Sequence, residues 1–192
     1  DHTVPPVIEE LKAKARERGL WNLFLPSESG LTNLEYAPLA ELSGWSNELA
    51  PEAMNCQAPD TGNMALLHLI GTDAQQQRWL RKVAEGSVVG AFATTEPDAS
   101  SDLSPQAVQT QAIRTEAGWV LNGHKRWISN SPVAGFVVVL ARTGAPLSMF
   151  IVDTALPGVE VGLADRKMGN RGQLPADIRF TDVHLTDDDL LG

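Results

Sequence analysis

Residues 91–102 form a stretch, AFATTEPDASSD, whose residue types could bind a ligand. A strand that ends in Thr94 and Thr95 would present hydroxyls and backbone amides at its end, because Pro97 cannot donate to a strand ladder. The loop from Asp98 to Asp102 contains two serines and offers hydroxyls and free N–H groups to an anion. Taken by itself, the pattern also fits an ordinary turn rich in side-chain caps.

A second stretch, NGHKRWISNS, places an aromatic residue beside a hydroxyl. Trp127 and Ser129 are two residues apart, so in a strand their side chains would share one face of the sheet. An indole that stacks and a hydroxyl that hydrogen-bonds would suit a planar heteroaromatic ligand. The alternative is a core tryptophan beside an exposed serine.

The elements before residue 88 are predicted to be helical. The apolar spacing in PPVIEELKAKARERGLW predicts a helix over Pro6–Arg18 that stops at Gly19. LEYAPLAELSGWS predicts a second helix, interrupted early by a proline, and NMALLHLIG predicts a buried one. DAQQQRWLRKVAEG predicts a further helix, with Asp73 as a candidate N-cap and Gly86 beyond its end.

After residue 88 the apolar residues recur with the period of a β-strand. Eight short segments, rich in β-branched and aromatic residues, are separated by turn signals. Glu116-Ala117-Gly118 and Asn122-Gly123 are candidate tight turns. This spacing predicts a closed or nearly closed antiparallel barrel or sandwich. The fold class is therefore expected to be α+β, with a helical domain over 1–87 and a middle β domain over 88–192 packed directly on it.

Composition and charge exclude several classes of function. The 192 residues include 15 Lys and Arg against 24 Asp and Glu, and this net charge of -9 argues against nucleic acid as a partner. A single cysteine, Cys56, excludes an internal disulfide framework and a multi-cysteine metal site. Apolar runs fall short of the roughly 20 residues of a spanning helix, so we expect no membrane insertion.

The sequence contains no motif typical of a metal site or of a nicotinamide- or triphosphate-binding site. None of the four histidines forms a pair with metal-like spacing; they are His2, His68, His124 and His184. The glycine-rich fingerprint of nicotinamide enzymes and the lysine motif of phosphate loops do not occur. We therefore expect no metal site.

Six motifs in order resemble those of the acyl-CoA dehydrogenases. They are GTDAQQQRWL, GAFATTEPDASSD, NGHKRWISN, MFIVDTALPGVEVG, KMGNRG and IRFTDVHL, and the match covers roughly residues 62 to 192. Upstream, GLWNLFLP and NCQAPDTGNM resemble the branch that includes the human members ten and eleven. The resemblance implies a helical domain and a middle β domain, with the family's C-terminal helical bundle absent from this chain.

The resemblance also implies FAD as the cofactor. Its implied contacts in this sequence are Phe92, Thr94, Thr95, Ser101, Trp127 and Ser129. In the family, the residues at the first three positions lie along the flavin ring, and the second threonine's hydroxyl bonds its pyrimidine side. The serine of the loop reaches the pyrophosphate, the tryptophan packs on the isoalloxazine, and the last hydroxyl bonds flavin N5. Glu96 is expected to have a structural role in the turn.

The implied reaction is the α,β-dehydrogenation of an acyl-CoA thioester. A carboxylate takes the α-proton, and the β-hydrogen leaves as hydride to the flavin. The family's base is a glutamate beyond the middle domain, so no catalytic residue is assigned here. The acids of the helical half are expected to be solvated; they are Glu28, Glu35, Glu41 and Glu52.

The implied partners are an acyl-CoA substrate, an electron-transfer flavoprotein or oxygen as acceptor, and other copies of the full-length protein in a homo-oligomer. The location would be cytoplasmic in a bacterium and mitochondrial or peroxisomal in a eukaryote. The alternative function is a non-catalytic flavin- or acyl-CoA-binding module without the base. Gln173, Leu174 and Pro175 replace the serine and threonine usual after KMGxR, and the substrate's chain length is left open.

Overall fold

A computed structural model describes residues 5–99 and 102–192, which form a helical half followed by a curled β-sheet. The helices are α1 (Pro6–Glu17), α2 (Pro26–Ser29), α3 (Asn33–Ser43), α4 (Ala50–Ala53), α5 (Asp60–Ile70), α6 (Asp73–Gln75) and α7 (Arg81–Ala84). A π-helical segment, Gln76–Leu80, joins α6 to α7, so these three pieces form one continuous helical segment. In the described part of the chain, no helix is both long enough and apolar enough to cross a membrane.

Local sequence determines where α1 ends and where α6 begins. α1 stops where predicted: Gly19 adopts a φ of +67°, and the amide of Leu20 bonds back to Ala15 O at 2.8 Å. The predicted N-cap at Asp73 is wrong by one residue, because Thr72 caps α6. The Thr72 hydroxyl accepts from the Gln75 amide, and the Gln75 side chain accepts from the Thr72 amide.

α5 is half buried rather than fully buried as predicted. Met64 and Leu67 lie in the core, whereas Leu69 is 77% exposed and Ile70 is also exposed. The residues that face the core are three apart, as expected for a helix that presents one side to a sheet. The apolar run in the sequence did not show that its end would lie at the surface.

Seven strands occur in the described residues. They are β1 (Gly90–Ala93), β2 (Gln111–Thr115), β3 (Gly118–Ser129), β4 (Phe136–Arg142), β5 (Leu147–Asp153), β6 (Val159–Val161) and β7 (Pro175–Leu185). The order across the sheet is β1-β4-β2-β3-β7-β6, and β5 pairs with the other side of β4. The α+β class is confirmed.

The sheet is mixed, so the expectation of a purely antiparallel barrel or sandwich is wrong in this detail. β4 runs parallel to β1, with Gly90 opposite Phe136, and it touches β2 in parallel through a single pair, Gln111 and Arg142. The alternation of apolar residues does not report strand direction, and β1 and β4 are separated in sequence by two other strands.

The predicted turn at Asn122-Gly123 is also wrong, because both residues lie inside β3. The register with β7 shifts between Leu121 and Gly123, where Asn122 bonds both the amide and the carboxylate of Asp182. A Cβ on Gly123 would collide with the Thr110 side chain, so this glycine serves close packing rather than a turn. Glu116-Ala117-Gly118 does form the predicted turn between β2 and β3.

Two apolar clusters hold the molecule together. One lies within the curled sheet. The other joins the helices to the sheet, and its members are Met64, Leu67, Trp79, Val83, Phe136, Val138 and Ile151. The rings of Trp79 and Phe136 lie 4.9 Å apart between centroids. The two halves therefore pack directly on each other, while the domain boundary after residue 87 stays a prediction.

Candidate functional site

Alternate side chains of β1 face opposite sides of the sheet just before the predicted ligand site. Ala91 and Ala93 are buried in the cluster inside the sheet, and Phe92 lies on the opposite face against the cluster that joins the helices. Phe92 lines a depression of about 420 Å³ together with Leu66, Met149 and residues at the start of α5. The strand ends at Ala93, so Thr94 and Thr95 directly follow it, whereas the sequence predicted that they would be its last two residues.

The backbone of Thr94 and Thr95 is fixed to β3. Lys125 Nζ donates to Thr94 O at 3.1 Å, and the amide of Arg126 donates to Thr95 O at 2.9 Å. Within residues 5–99 and 102–192, neither threonine hydroxyl has a hydrogen-bond partner. Both are half-buried, so the strand end presents hydroxyls that a ligand could use.

Trp127 lies at a bulge of β3 in an unusual conformation. The register with β7 shifts between Lys125 and Ile128, and Trp127 adopts a φ of +57°. An aromatic residue in the left-handed region is strained, and such strain is concentrated at functional sites. The bulge leaves Trp127 61% exposed rather than packed in the core. The alternative of a core tryptophan is therefore wrong.

Asp177 on β7 anchors the bulge from the neighbouring strand. Its Oδ2 lies 2.8 Å from His124 Nε2 and accepts from the Arg126 guanidinium at 3.4 Å. Burial raises the pKa of Asp177, but His124, Arg126 and the Trp127 amide outweigh that effect and hold this pKa below its usual range. The carboxylate therefore stays charged next to the residue that carries the indole.

Trp127 and Ser129 come together in one open depression of about 510 Å³. Its other lining residues are Asp165, Arg166, Lys167, Gln173 and Pro175. In the part of the chain that the structure describes, the Ser129 hydroxyl and the indole N–H have no partner. Phe92 lies in the other depression, which shares no lining residue with this one. Ser101, the remaining predicted contact, lies outside the described residues.

Glu96 has the structural role that the sequence predicted, and its partner is a residue that the sequence analysis missed. Lys125 is fully buried and bonds Glu96 Oε1 at 2.8 Å. Burial raises the pKa of Glu96, but bonds from Lys125 and from two backbone amides outweigh it and lower this pKa. Burial likewise lowers the pKa of Lys125. The sequence could have indicated this burial. Lys125 comes four residues after Leu121 in β3, and residues an even number apart in a strand face the same side of the sheet.

The acidic residues of the helical half do not gather at either depression. Glu28, Glu35 and Glu41 are exposed, as predicted, whereas Glu52 is half-buried and pairs with Lys12 at 3.1 Å. Asp60 was missed: burial, above all, raises its pKa to about 7, but it lines neither depression. Among the residues with described structure, no three His, Cys, Asp or Glu side chains are grouped as metal ligands would be.

Comparisons of the sequence agree on one family. The family model described as "Acyl-CoA dehydrogenase, middle domain" matches residues 91–183. A probable acyl-CoA dehydrogenase of Mycobacterium tuberculosis, FadE2, is 52% identical over 84% of this chain and 41% of its own length. Mouse acyl-CoA dehydrogenase family member 11 is 42% identical over 82% of this chain and 21% of its own length, so the predicted branch is represented.

Solved structures show the same architecture. A putative acyl-CoA dehydrogenase from Mycobacterium abscessus superposes with a TM-score of 0.91 at 37% identity, over 98% of this chain and 49% of that one. An acyl-CoA dehydrogenase from Bacillus anthracis, complexed with FAD, gives a TM-score of 0.78 at 28% identity, over 98% of this chain and 34% of that one. The chain spans at most about half the length of these relatives. On the resemblance of motifs, sequence and fold, the chain belongs to the acyl-CoA dehydrogenase family.

Proposed function

We propose that this chain supplies the flavin-binding surface of a FAD-dependent acyl-CoA dehydrogenase. The observation that carries the proposal is the exposed Trp127, held in a strained conformation at a bulge beside the free hydroxyl of Ser129. A flat aromatic surface next to a hydrogen-bond donor suits an isoalloxazine ring. The Bacillus anthracis relative, whose structure contains FAD, supports the same cofactor.

In this proposal most of the predicted residues have distinct contacts. The Trp127 indole would pack on the isoalloxazine, and the Ser129 hydroxyl would donate to flavin N5. The Thr95 hydroxyl and nearby backbone amides would bond the pyrimidine side, and Thr94 would lie along the ring. Phe92 was predicted to lie there too, but its side chain lines the other depression. Ser101 would reach the pyrophosphate. The hydroxyls of Thr94, Thr95 and Ser129 fit this role because they have no other partner among the described residues.

The proposed substrate is an acyl-CoA thioester, from which an α-proton and a β-hydride are removed. Bound FAD would supply the hydride acceptor. The residues of this chain would orient the ring and keep water from the face on which Trp127 packs. The α-proton would be taken by a carboxylate outside these 192 residues, and electrons would pass to an electron-transfer flavoprotein or to oxygen.

The visible spectrum of the protein, at its full natural length, tests this function. We expect bound FAD, and we expect its absorption to bleach when an acyl-CoA thioester is added without oxygen. Trp127→Ala should weaken FAD binding about tenfold or more, because base–aromatic or ring–aromatic stacking is worth about 1–3 kcal/mol. Trp45→Ala is the matched control, since Trp45 is 89% exposed and lines neither depression.

Two outcomes would contradict the proposal in different ways. A protein that takes up no flavin would remove its basis. Bound flavin that stays oxidised with every acyl-CoA offered would instead favour a non-catalytic flavin-binding module. Equal loss of binding in the Trp127 and Trp45 variants would contradict the assigned role of Trp127.

A further inference from the structure

Asp177 of β7 lies opposite the bulge that carries Trp127. The strand pairs on either side of the bulge leave Arg126 and Trp127 of β3 opposite this single residue of β7. Two residues against one is the arrangement of a β-bulge, and bulges next to ligand sites often change the direction in which a side chain points. The side chain at position 177 therefore faces the point at which β3 turns its indole outward.

The Asp177 carboxylate contacts two residues that precede Trp127 in β3. Its Oδ2 lies 2.8 Å from His124 Nε2 and accepts from both Nε and Nη2 of Arg126, each at 3.4 Å. The backbone of Asp177 is itself held, because its carbonyl accepts from the Gly162 amide at 2.9 Å. The carboxylate is therefore a fixed acceptor on the neighbouring strand.

Arg126 connects this carboxylate to the indole. Its guanidinium carbon lies 5.9 Å from the centroid of the Trp127 ring, within the range of a cation–π contact. Its backbone amide donates to Thr95 O at 2.9 Å, so the arginine is also held by the segment that follows β1. One residue thus contacts the acid, the indole and the end of another strand.

Trp127 depends on such contacts because its own conformation is unfavourable. A φ of +57° brings the Cβ of an L-residue close to its own backbone, and strained residues persist only where their surroundings determine the conformation. Trp127 is 61% exposed, so packing in the core does not supply that restraint. Asp177 does not line the depression that contains Trp127 and Ser129, so its influence on a ligand there would pass through the indole.

We propose that Asp177 is a positioning residue that, through Arg126 and the bulge, holds the Trp127 indole in its ligand-binding orientation before the ligand binds. The inference rests on the proposed function, because it takes this indole to be the surface on which the isoalloxazine packs. If only a fraction of the molecules held the indole in that orientation, the apparent dissociation constant would rise as the inverse of that fraction. The rise cannot exceed the one caused by removing the indole itself.

A double-mutant cycle on the full-length protein tests this route, with the dissociation constant for FAD measured by flavin fluorescence. Asp177→Ala should raise this constant between about threefold and tenfold, within the loss expected for Trp127→Ala. In the Trp127→Ala background, the same substitution should change it by less than about twofold, because the side chain through which Asp177 acts is gone. A merely structural role would give the same factor in both backgrounds.

A measurement without flavin reports the orientation of the indole directly. With 5-fluorotryptophan incorporated into the protein, the fluorine NMR signal of Trp127 is assigned by its absence in Trp127→Ala. We expect one narrow signal for this residue in the flavin-free wild type. In Asp177→Ala we expect the signal to broaden or divide, because the indole then occupies several conformations.

Asp187→Ala is the matched control. Asp187 bonds both the Arg114 guanidinium and the Trp119 indole, and Arg114 lies over the Trp119 ring, at the opposite end of β3. This variant removes an acid that contacts an arginine and an indole but lies away from the proposed flavin site. It should shift the fluorine signal of Trp119 and leave both the Trp127 signal and the affinity for FAD unchanged.

A second variant keeps the test valid if Asp177→Ala does not fold. Asp177→Asn keeps the size of the side chain and one acceptor oxygen but loses the charge that strengthens its bonds to Arg126. We expect the dissociation constant for FAD to rise about threefold, and this rise to disappear in the Trp127→Ala background. The Trp127 fluorine signal should broaden in this variant as well.

The outcomes separate this inference from the function on which it rests. If the full-length wild type bound no flavin, the proposed function would fail and this inference with it. If the wild type bound FAD but the folded Asp177 variants had no effect, or the same effect in both backgrounds, only the positioning role would be overturned. A Trp127 signal that stayed single and narrow in those variants would overturn it as well.

Discussion

Asp60 and Gly90 join the start of α5 to the start of β1, since the amide of Gly90 donates to Asp60 Oδ1 at 2.8 Å. A Cβ at position 90 would lie 2.6 Å from Phe136 Cζ and 2.8 Å from Asp60 Oδ1, so the approach requires glycine. The contact places a carboxyl group in the interior between the helices and the sheet. It also fixes where β1 begins, four residues before Thr94.

Asp60→Asn should make the protein less sensitive to pH. Burial, above all, raises the pKa of Asp60 to about 7; Glu52 adds to this rise, and Gly90, Asn63 and Lys12 oppose it. In the unfolded chain this pKa is about 4, so between about pH 4 and 7 the folded state binds more protons and stability falls as the pH rises. Asparagine stays neutral and can still accept from Gly90. We expect Asp60→Asn to raise the free energy of unfolding near pH 8 by up to about 4 kcal/mol and much less near pH 4.

Chemical denaturation across this pH range measures the effect. Glu10→Gln is the control, because Glu10 is an exposed acid on α1 and lies outside the contact between Asp60 and Gly90. A variant at Asp60 whose stability followed the wild-type profile at every pH would show that this carboxyl is not responsible.

Gln75→Ala should destabilise the contact between the last helical segment and the end of the chain. Gln75 Nε2 donates to Asp188 O at 2.8 Å and to Leu190 O at 2.7 Å, and its Oε1 accepts from the Thr72 amide at 3.1 Å. The side chain is buried, so its removal leaves carbonyl groups without donors. We expect the free energy of unfolding to fall by about 2–4 kcal/mol in urea titrations.

Gln77 provides the matched control for that variant. It is an exposed glutamine in the same helical segment, so Gln77→Ala should change stability by less than about 0.5 kcal/mol. Equal effects of the two substitutions would show that the three bonds of Gln75 contribute nothing measurable.

Asp177→Asn should remove an acid-sensitive part of the stability. The folded-state pKa of Asp177 is lowered because bonds from His124 and Arg126 outweigh burial, which acts to raise it. The charged carboxylate therefore stabilises the fold above about pH 4, and this contribution is lost as the pH falls through the lowered value. We expect the variant to be less stable than the wild type at neutral pH and closer to it near pH 2.

Denaturation at the two pH values, followed by circular dichroism, checks this expectation. The control is Glu116→Gln, at an exposed position in the turn between β2 and β3. A difference between wild type and Asp177→Asn that stayed constant from neutral to acid pH would assign the effect to packing rather than to charge.

Local features of the fold were largely predictable from the sequence. The Gly19 stop follows from local geometry, and the strands after residue 88 follow from the alternation of apolar residues. The turn before β3 was found for the same reason, because Glu116 to Gly118 carry their own turn signal. Each of these elements depends on neighbours within a few residues.

The features that were missed depend on distant contacts. Asn122-Gly123 has the composition of a hairpin turn, but both residues lie inside a long strand. There Gly123 packs against Thr110, and Asn122 bonds to Asp182. The parallel pairing of β4 is likewise a property of the assembled sheet. The burial of Lys125 could be suspected from its position in β3, but its partner, Glu96, lies at the end of another segment.

The parallel pairing of β1 with β4 has a consequence for biosynthesis. Thr94 and Thr95 leave the ribosome early, but their carbonyls are held by Lys125 and Arg126 of β3. The strand that precedes them pairs with β4, which is made only after β3 is complete. Because non-local contacts form after the chain between them has been synthesised, a nascent chain that ends before β4 cannot yet pair β1 within the sheet. The surface that we propose for flavin binding would therefore be complete only after the first four strands have been made.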